Sequence, residues 1–166
     1  MSAPVLSPLQ SRFREVMGSV CTPVSVVTTL DDGTPFGTTV SAFTSLSMEP
    51  PMVLVALDNG SALLAAVRRS RRFGVNVLLS EQAPLALRFA GKGGPAKFTD
   101  VSWAAEQHVP RLSGAGGFLA CELAGQVPGG DHTVLLGTVL DADPTSGAPL
   151  TYHLRSFGTH SAHAQR

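Results

Sequence analysis

The stretch GTTVSAFTSLSMEPP, residues 37–51, is the most informative part of this sequence. It is rich in hydroxyl side chains and small residues, and it joins two apolar runs that are typical of buried strands. The upstream run, residues 23–30, is β-branched, and the Asp-Asp-Gly at 31–33 favours a hairpin turn. The downstream run, residues 52–57, is continuously apolar. Hydroxyl and backbone N–H groups held between two strands predict a phosphate site, although isolated Ser and Thr runs are more often turn formers.

The composition predicts one domain with an ordinary hydrophobic core. The chain has 166 residues, 43% of them apolar, so it can fold without disulfide bonds or a structural metal. Its 12 basic and 12 acidic side chains cancel, which makes a nucleic-acid partner unexpected. We expect a single domain over residues 1–166, with a core at 10–158 and flexible termini.

Neither a membrane segment nor a metal site is predicted. No apolar run approaches the roughly 20 residues that span a bilayer, and the N-terminus lacks a secretory pattern. A cytoplasmic enzyme is therefore the expectation. Cys21 and Cys121 lack redox or metal spacing and are interpreted as reduced structural thiols. His160 and His163 have no neighbouring carboxylate or cysteine, so they predict no metal site.

Three segments have the features of helices. Residues 9–20 carry an apolar stripe, with Ser7 as the expected N-cap and Pro8 at the first helical position. Residues 62–67 are strong helix formers that end in a cluster of arginines, and Ser61 is a candidate N-cap. A shorter helix is predicted over residues 81–89.

Strands outnumber these helices. Besides the first two runs, the pattern predicts strands at residues 73–79, 118–127, 133–140 and 150–154. No regular strand-helix-strand alternation appears, and the connections are short. We therefore expect a mainly β fold, a Greek-key-like barrel with helices packed outside.

Two further segments contain candidate site residues. Residues 90–98 are too rich in Gly and Pro for a regular element, yet they hold both lysines of the chain, Lys92 and Lys97. This segment is either an anion-contacting loop or a solvated mobile loop. His132 follows Gly130 and Asp131 at the start of a predicted strand, where it either faces a cleft or is satisfied by Asp131 within the turn.

Taken in order, these segments resemble the flavin reductase-like family. The resemblance extends from about Phe13 to Phe157, and the motifs that carry it are VSVVTT before DDG, GTTVSAFTSLSMEPPMVLVAL, RFGVNVL, RFAGKGGPAKF, GDHTVLLGTVLDA and LTYH. It implies a split β-barrel that binds FMN, or in some members FAD. It also implies a homodimer with flavin sites at the subunit interface.

The resemblance also implies roles for individual residues. It places Thr38, Thr39, Val40 and Ser41 along the isoalloxazine and ribityl, and Ser45, Leu46 and Ser47 nearer the phosphate. Other implied flavin contacts are Ser61, Phe89, Lys92, Lys97 and Tyr152. His132 is assigned to the nicotinamide side as the catalytic residue, and Asp131 to ordering its turn.

We therefore expect an NAD(P)H:flavin oxidoreductase that supplies reduced flavin to a separate monooxygenase. Hydride passes from NADH or NADPH to FMN or FAD, and the protein has to align two rings. Two other interpretations remain open: a flavin-retaining enzyme of the same fold that acts on an organic substrate, and a non-catalytic flavin-binding or storage module. The sequence does not choose between FMN and FAD, or between NADH and NADPH.

Overall fold

A computed structural model describes residues 6–163. The predicted flexibility of the termini falls partly on residues outside this range. Within it, the fold is mainly β, as expected. The helices are α1 (Pro8–Gly18), α2 (Ala62–Ser70) and α3 (Ala83–Ala90), with 3₁₀ turns at Ser80–Gln82 and Gly94–Phe98. The strands are β1 (Thr22–Pro23), β2 (Ser25–Asp31), β3 (Thr34–Val40), β4 (Phe43–Met48), β5 (Pro51–Asp58), β6 (Arg72–Val77), β7 (Trp103–Glu106), β8 (Val109–Leu112), β9 (Gly117–Gly129), β10 (His132–Pro144), β11 (Leu150–His153) and β12 (Ser156–Thr159).

The main sheet closes into a barrel. Its seven strands run in the order β3-β2-β6-β9-β10-β5-β4, and all neighbours are antiparallel. In a flat sheet the edge strands β3 and β4 would lie about 29 Å apart, because neighbouring strands are spaced by about 4.8 Å. Only Ser41 and Ala42 separate them in the chain, a connection that spans about 11 Å at most. The sheet must therefore curl until its two edges meet.

Two hydrophobic cores lie on opposite faces of β2. Val27 points into the barrel with Leu64 of α2 and Phe73 of β6. Val26 points outward, because successive side chains of a strand alternate, and packs in a second cluster with Phe89 of α3. The small sheet β1-β11-β12 and the hairpin β7-β8 cover this outer cluster. Helix α3 therefore packs outside the barrel, as predicted, whereas α2 contributes Leu64 to the inner core and α1 buries none of its residues.

Several local predictions were wrong. The hydroxyl-rich stretch is not a loop between strands, because it contains the end of β3, all of β4 and the start of β5. The segment around Lys97 forms a 3₁₀ turn instead of irregular chain. The hairpin β7-β8 and the strand β12 were missed. Their turns place Gln107, His108, Leu154 and Arg155 at positive φ, so no turn residue marks either hairpin in the sequence.

Within residues 6–163, no helix is long and apolar enough to cross a membrane. The same part of the chain contains no group of three or more His, Cys, Asp or Glu side chains that could hold a metal ion.

Candidate functional site

Three cavities meet at the end of β3. This is the seam of the barrel, where the edge strands β3 and β4 come together. The lysine cavity, lined by Lys92 and Lys97, has a volume of about 600 Å³. The apolar cavity, lined by Tyr152 and Phe157, measures about 430 Å³, and the histidine cavity, lined by His132, measures about 250 Å³. Thr38 lines the lysine and histidine cavities, and Thr39, Val40 and Ser41 line the histidine and apolar cavities. The end of β3 and Ser41 thus form the shared wall of one continuous surface.

The histidine cavity contains the predicted catalytic residue. His132 begins β10, lies opposite Asp58 of β5, and has 44% of its side chain exposed. Its Nδ1 lies 2.7 Å from the Asp131 carboxylate, and the hydrogen bond to the imidazole lowers the pKa of Asp131. The sequence left open whether His132 faces a cleft or bonds to Asp131 within the turn. In the structure it does both. Nε2 is the ring nitrogen left for a ligand.

The lysine cavity has the features of an anion site. Ser61, the N-cap of α2, lines it together with Lys92 and Lys97. The N-terminus of a helix attracts anions through its free N–H groups, and lysine adds a compact positive charge. Lys97 Nζ donates a 2.9 Å hydrogen bond to the carbonyl of Phe89, and partial burial lowers its pKa. The lysine segment is therefore anchored to α3 instead of being free in solvent.

The apolar cavity includes residues that the sequence analysis missed. Tyr152 was predicted to contact flavin, and it lines this cavity with Phe157, whose ring centroid is 5.2 Å away. Among the described residues that line this cavity, Arg155 is the one charged side chain. The alternation in LTYHLRSF indicates strands on both sides of Leu154 and Arg155, but neither residue is a usual turn former. The β11-β12 hairpin was therefore not recognisable from turn chemistry.

The threonine hydroxyls at the seam are already engaged. Thr39 Oγ1 donates a 2.6 Å hydrogen bond to the carbonyl of Ala86, and Thr38 Oγ1 donates a longer 3.4 Å bond to that of Phe89. Both carbonyls belong to α3. The threonines therefore tether this helix to the barrel edge, and their oxygens keep a lone pair for accepting a ligand hydrogen bond.

Four predicted site residues do not line the three cavities. The side chain of Phe89 is fully buried in the outer core, where its ring packs edge-on against Phe98. Only its carbonyl faces the site residues. Ser45, Leu46 and Ser47 lie along the edge strand β4 instead, with Ser47 Oγ accepting a 3.2 Å hydrogen bond from Glu49 N–H. Lys92 and Lys97 therefore share a cavity with Ser61 and not with Ser47.

Comparison with known proteins gives matches along nearly the whole chain. A family model described as "Flavin reductase like domain" matches residues 17–161. The reductase component of a 4-nitrophenol 4-monooxygenase/4-nitrocatechol 2-monooxygenase from Rhodococcus opacus is 42% identical over 95% of this chain and 85% of its own length. An NADH-dependent flavin reductase from Rhodococcus sp. is 33% identical over 93% of this chain and 87% of its own.

A solved structure agrees with these sequence matches. The NADH:FAD oxidoreductase SgcE6 of Streptomyces globisporus C-1027, in complex with NAD and FAD fragments, superposes with a TM-score of 0.88 at 29% identity. The alignment covers 98% of this chain and 100% of that chain. It therefore includes all the elements that form the three cavities.

Proposed function

This chain belongs to the flavin reductase-like family and is a flavin reductase, and on that premise we propose that it oxidises NADH, reduces FMN or FAD, and passes the reduced flavin to a separate monooxygenase. NADH is the nicotinamide named for two of its relatives. The observation that carries the proposal is the convergence of His132, Ser61 and Lys97 with residues 38–41 on one surface. We also propose that residues 1–166 form one domain.

The lysine cavity is the proposed binding site of the flavin phosphate. It combines the N-terminus of α2 with Lys92 and Lys97; Ser61 also borders the histidine cavity, but neither lysine does. Lys97 has a lowered pKa because it is partly desolvated. A bound phosphate would supply the counter-charge that this ammonium lacks in the free protein.

The seam is the proposed binding site of the flavin ring. Residues 38–41 connect the lysine cavity to the apolar cavity, so a ligand with a phosphate in the first can extend along them. Tyr152 and Phe157 form an aromatic wall beside the seam, and their faces suit a planar ring system. Phe89, in this proposal, acts through its carbonyl, which orients Lys97.

His132 is the proposed contact on the nicotinamide side. Once the two rings are aligned, hydride passes directly between them, and this is chemistry that the bound molecules supply. The protein has to bind, orient and exclude water. Asp131 holds Nδ1 of the imidazole, which leaves Nε2 to position the nicotinamide.

We further propose a homodimer. The apolar face of α1 carries Leu9, Phe13 and Val16, all more than 60% exposed in the single chain. Met48 on the edge strand β4 is 85% exposed. Exposed apolar surface of this extent on one helix is typical of a protein interface. Burial of this face against a second copy would remove it from water.

The test of the proposed function is a set of turnover assays. The purified protein is examined for bound flavin by absorbance, and NADH and NADPH oxidation are then followed with FMN, with FAD or with no added flavin. Turnover that requires added flavin is the expected result. Retained flavin without nicotinamide oxidation would instead favour the flavin-retaining enzyme or the storage module.

A histidine pair tests the site. His132→Ala should slow flavin reduction by about tenfold or more while changing flavin affinity by less than about twofold. His153→Ala is the matched control, because His153 is exposed on β11 and lines none of the three cavities. Equal losses of reduction and flavin binding in His132→Ala would contradict this division of roles.

A further inference from the structure

The side chain of Asn59 joins the two loops that carry Ser61 and His132. Its Nδ2 donates a 3.1 Å hydrogen bond to the carbonyl of Gly130, and its Oδ1 accepts a 2.7 Å bond from the hydroxyl of Thr133. Its backbone N–H donates a 3.0 Å bond to the carbonyl of Asp131. One residue of the β5-α2 loop therefore contacts the β9-β10 turn on both sides of His132.

The β9-β10 turn has little else to hold it. It is a two-residue hairpin turn of Gly130 and Asp131, and Gly130 adopts a φ of +69°. No heavy atom beyond its chain neighbours lies within 4 Å of the position that a Cβ on Gly130 would occupy, and the Asp131 side chain is 91% exposed. Such a turn is free to move unless hydrogen bonds from another element restrain it.

The loop that carries Ser61 is held by different contacts. Asp58 Oδ1 accepts a 2.7 Å hydrogen bond from Gly60 N–H, and the Asp58 carbonyl accepts a 3.0 Å bond from Ser61 N–H. Neither bond involves the side chain of Asn59. Truncating that side chain should therefore leave the Ser61 side in place while it removes the bonds to Gly130 and Thr133 and loosens the turn before His132; the backbone bond from residue 59 to Asp131 remains.

The three hydrogen bonds of Asn59 to the β9-β10 region form a clamp, and Thr133 connects this clamp to the protein interior. This threonine is only 6% exposed, and its hydroxyl donates to Asn59 and accepts a 3.4 Å hydrogen bond from Arg68 of α2. Arg68 also donates a 2.9 Å bond to Gln126 of β9. The Gly130 carbonyl fixes the orientation of the Asn59 amide, because it can only accept and a flipped amide would bring an oxygen against it.

We propose that Asn59 is a positioning residue, which fixes the place of His132 relative to the lysine cavity and so sets the rate of flavin reduction more than flavin affinity. This rests on the proposed function of His132. Asn59 itself lines none of the three cavities, so it acts through the turn and not by touching either substrate.

The experiment is a double-mutant cycle between Asn59→Ala and His132→Ala. We expect Asn59→Ala to lower the first-order rate of flavin reduction by NADH about tenfold, with flavin affinity changed by less than about twofold. In the His132→Ala background, the same substitution should change the rate by less than about twofold, because the residue it positions is gone. A merely structural role would slow both backgrounds by the same factor.

Two further variants keep the test decisive. Asn59→Asp retains an oxygen for Thr133 but loses the donor to Gly130, so it should also loosen the turn. This variant keeps the test possible if Asn59→Ala folds poorly. Gln126→Ala is the control, because it removes a partner of Arg68 and leaves all three Asn59 bonds intact; it should reduce flavin at the wild-type rate.

Amide hydrogen exchange separates failure of the clamp from failure of the proposed function. Exchange over residues 129–133 should become at least about tenfold faster in Asn59→Ala and Asn59→Asp, whatever the enzyme's activity. Unchanged exchange would overturn the clamp itself. Faster exchange with equal rate losses in both His132 backgrounds would overturn the positioning role, whereas a wild-type protein that does not oxidise NADH would overturn the proposed function.

Discussion

Helices α1 and α2 begin with similar local signals but are held in the fold in different ways. In α1, Ser7 caps the first turn, Gln10 completes a capping box and Pro8 follows the cap. None of its residues is buried, and Phe13 is 64% exposed. The cap of α2, Ser61, accepts a long 3.5 Å bond, yet this helix buries Leu63, Leu64, Ala66 and Val67.

The comparison separates what starts a helix from what holds it in the fold. An N-cap contributes about 1 kcal/mol, and α1 has the more complete cap because of its capping box. Burial of several aliphatic side chains contributes more, at about 1.5 to 3 kcal/mol for each large one. By this reasoning α2 is held by the barrel, whereas α1 has no equivalent contact with residues 6–163.

Thiol reactivity should differ most between the two regions. Cys21, just after α1, is exposed, while Cys121 is buried in the same core as α2, where burial raises its pKa to about 12. We expect a thiol reagent to label Cys121 at least about a thousandfold more slowly than Cys21, equivalent to about 4 kcal/mol. Measuring the labelling of the Cys21→Ser variant isolates Cys121. Labelling of native Cys121 at the Cys21 rate would contradict this burial.

Truncation of a buried side chain of α2 should have the next largest effect, which is on the free energy of unfolding. Leu64→Ala removes a fully buried side chain and should lower the free energy of unfolding by about 3 kcal/mol, measured by urea denaturation. The control is Leu87→Ala on α3, where the leucine is 63% exposed and the expected loss is under about 1 kcal/mol. Equal losses would mean that α2 is not held by the barrel core.

A charge on the apolar face of α1 tests the proposed dimer. Phe13→Asp should weaken self-association about a hundredfold, or about 2.7 kcal/mol, because it buries an unpaired carboxylate at the interface. Light scattering during size-exclusion chromatography measures the change. Glu15→Lys is the matched control, since residue 15 lies on the opposite side of the helix from Phe13. A wild-type chain that is monomeric at micromolar concentration would refute the dimer.

The two caps offer the smallest and most selective comparison. Ser7→Ala and Ser61→Ala each remove an N-cap hydroxyl and should lower the free energy of unfolding by about 1 kcal/mol. Only Ser61→Ala should also weaken flavin binding, by about fivefold, because Ser61 lines the lysine cavity and Ser7 does not. Titration of flavin fluorescence measures this difference. If flavin bound more weakly to Ser47→Ala than to Ser61→Ala, the phosphate site would lie on β4, as the sequence predicted.

Much of the fold was predictable because its signals are local. The Asp-Asp-Gly turn forms the expected β2-β3 hairpin, with Asp32 and Gly33 at positive φ. Ser7 and Ser61 cap the predicted helices, and β9 and β10 form the predicted strands with Gly130 in their turn. The missed hairpins lack such signals, because Gln107, His108, Leu154 and Arg155 adopt turn conformations that their residue types do not favour.

The candidate site was predictable in part. His132, Ser61, Tyr152, both lysines and residues 38–41 were named from the sequence, and all of them line the connected cavities. Ser45 and Ser47 have the same hydroxyl chemistry but lie on β4, past the seam. Arg155 and Asn59 were not assigned roles, since their positions depend on contacts with residues far away in the chain.

By itself, the sequence determined the strand and helix segments, the main hairpins, the caps and the family. These properties depend on residue types within a few positions of one another, and so they can be recognised without coordinates. The tertiary structure decided which hydroxyl groups reach the cavities, which helix is buried and how Asn59 joins two distant turns. The first two outcomes depend on the curling of a seven-stranded sheet, and the third depends on the pairing of β5 with β10; no local pattern specifies either.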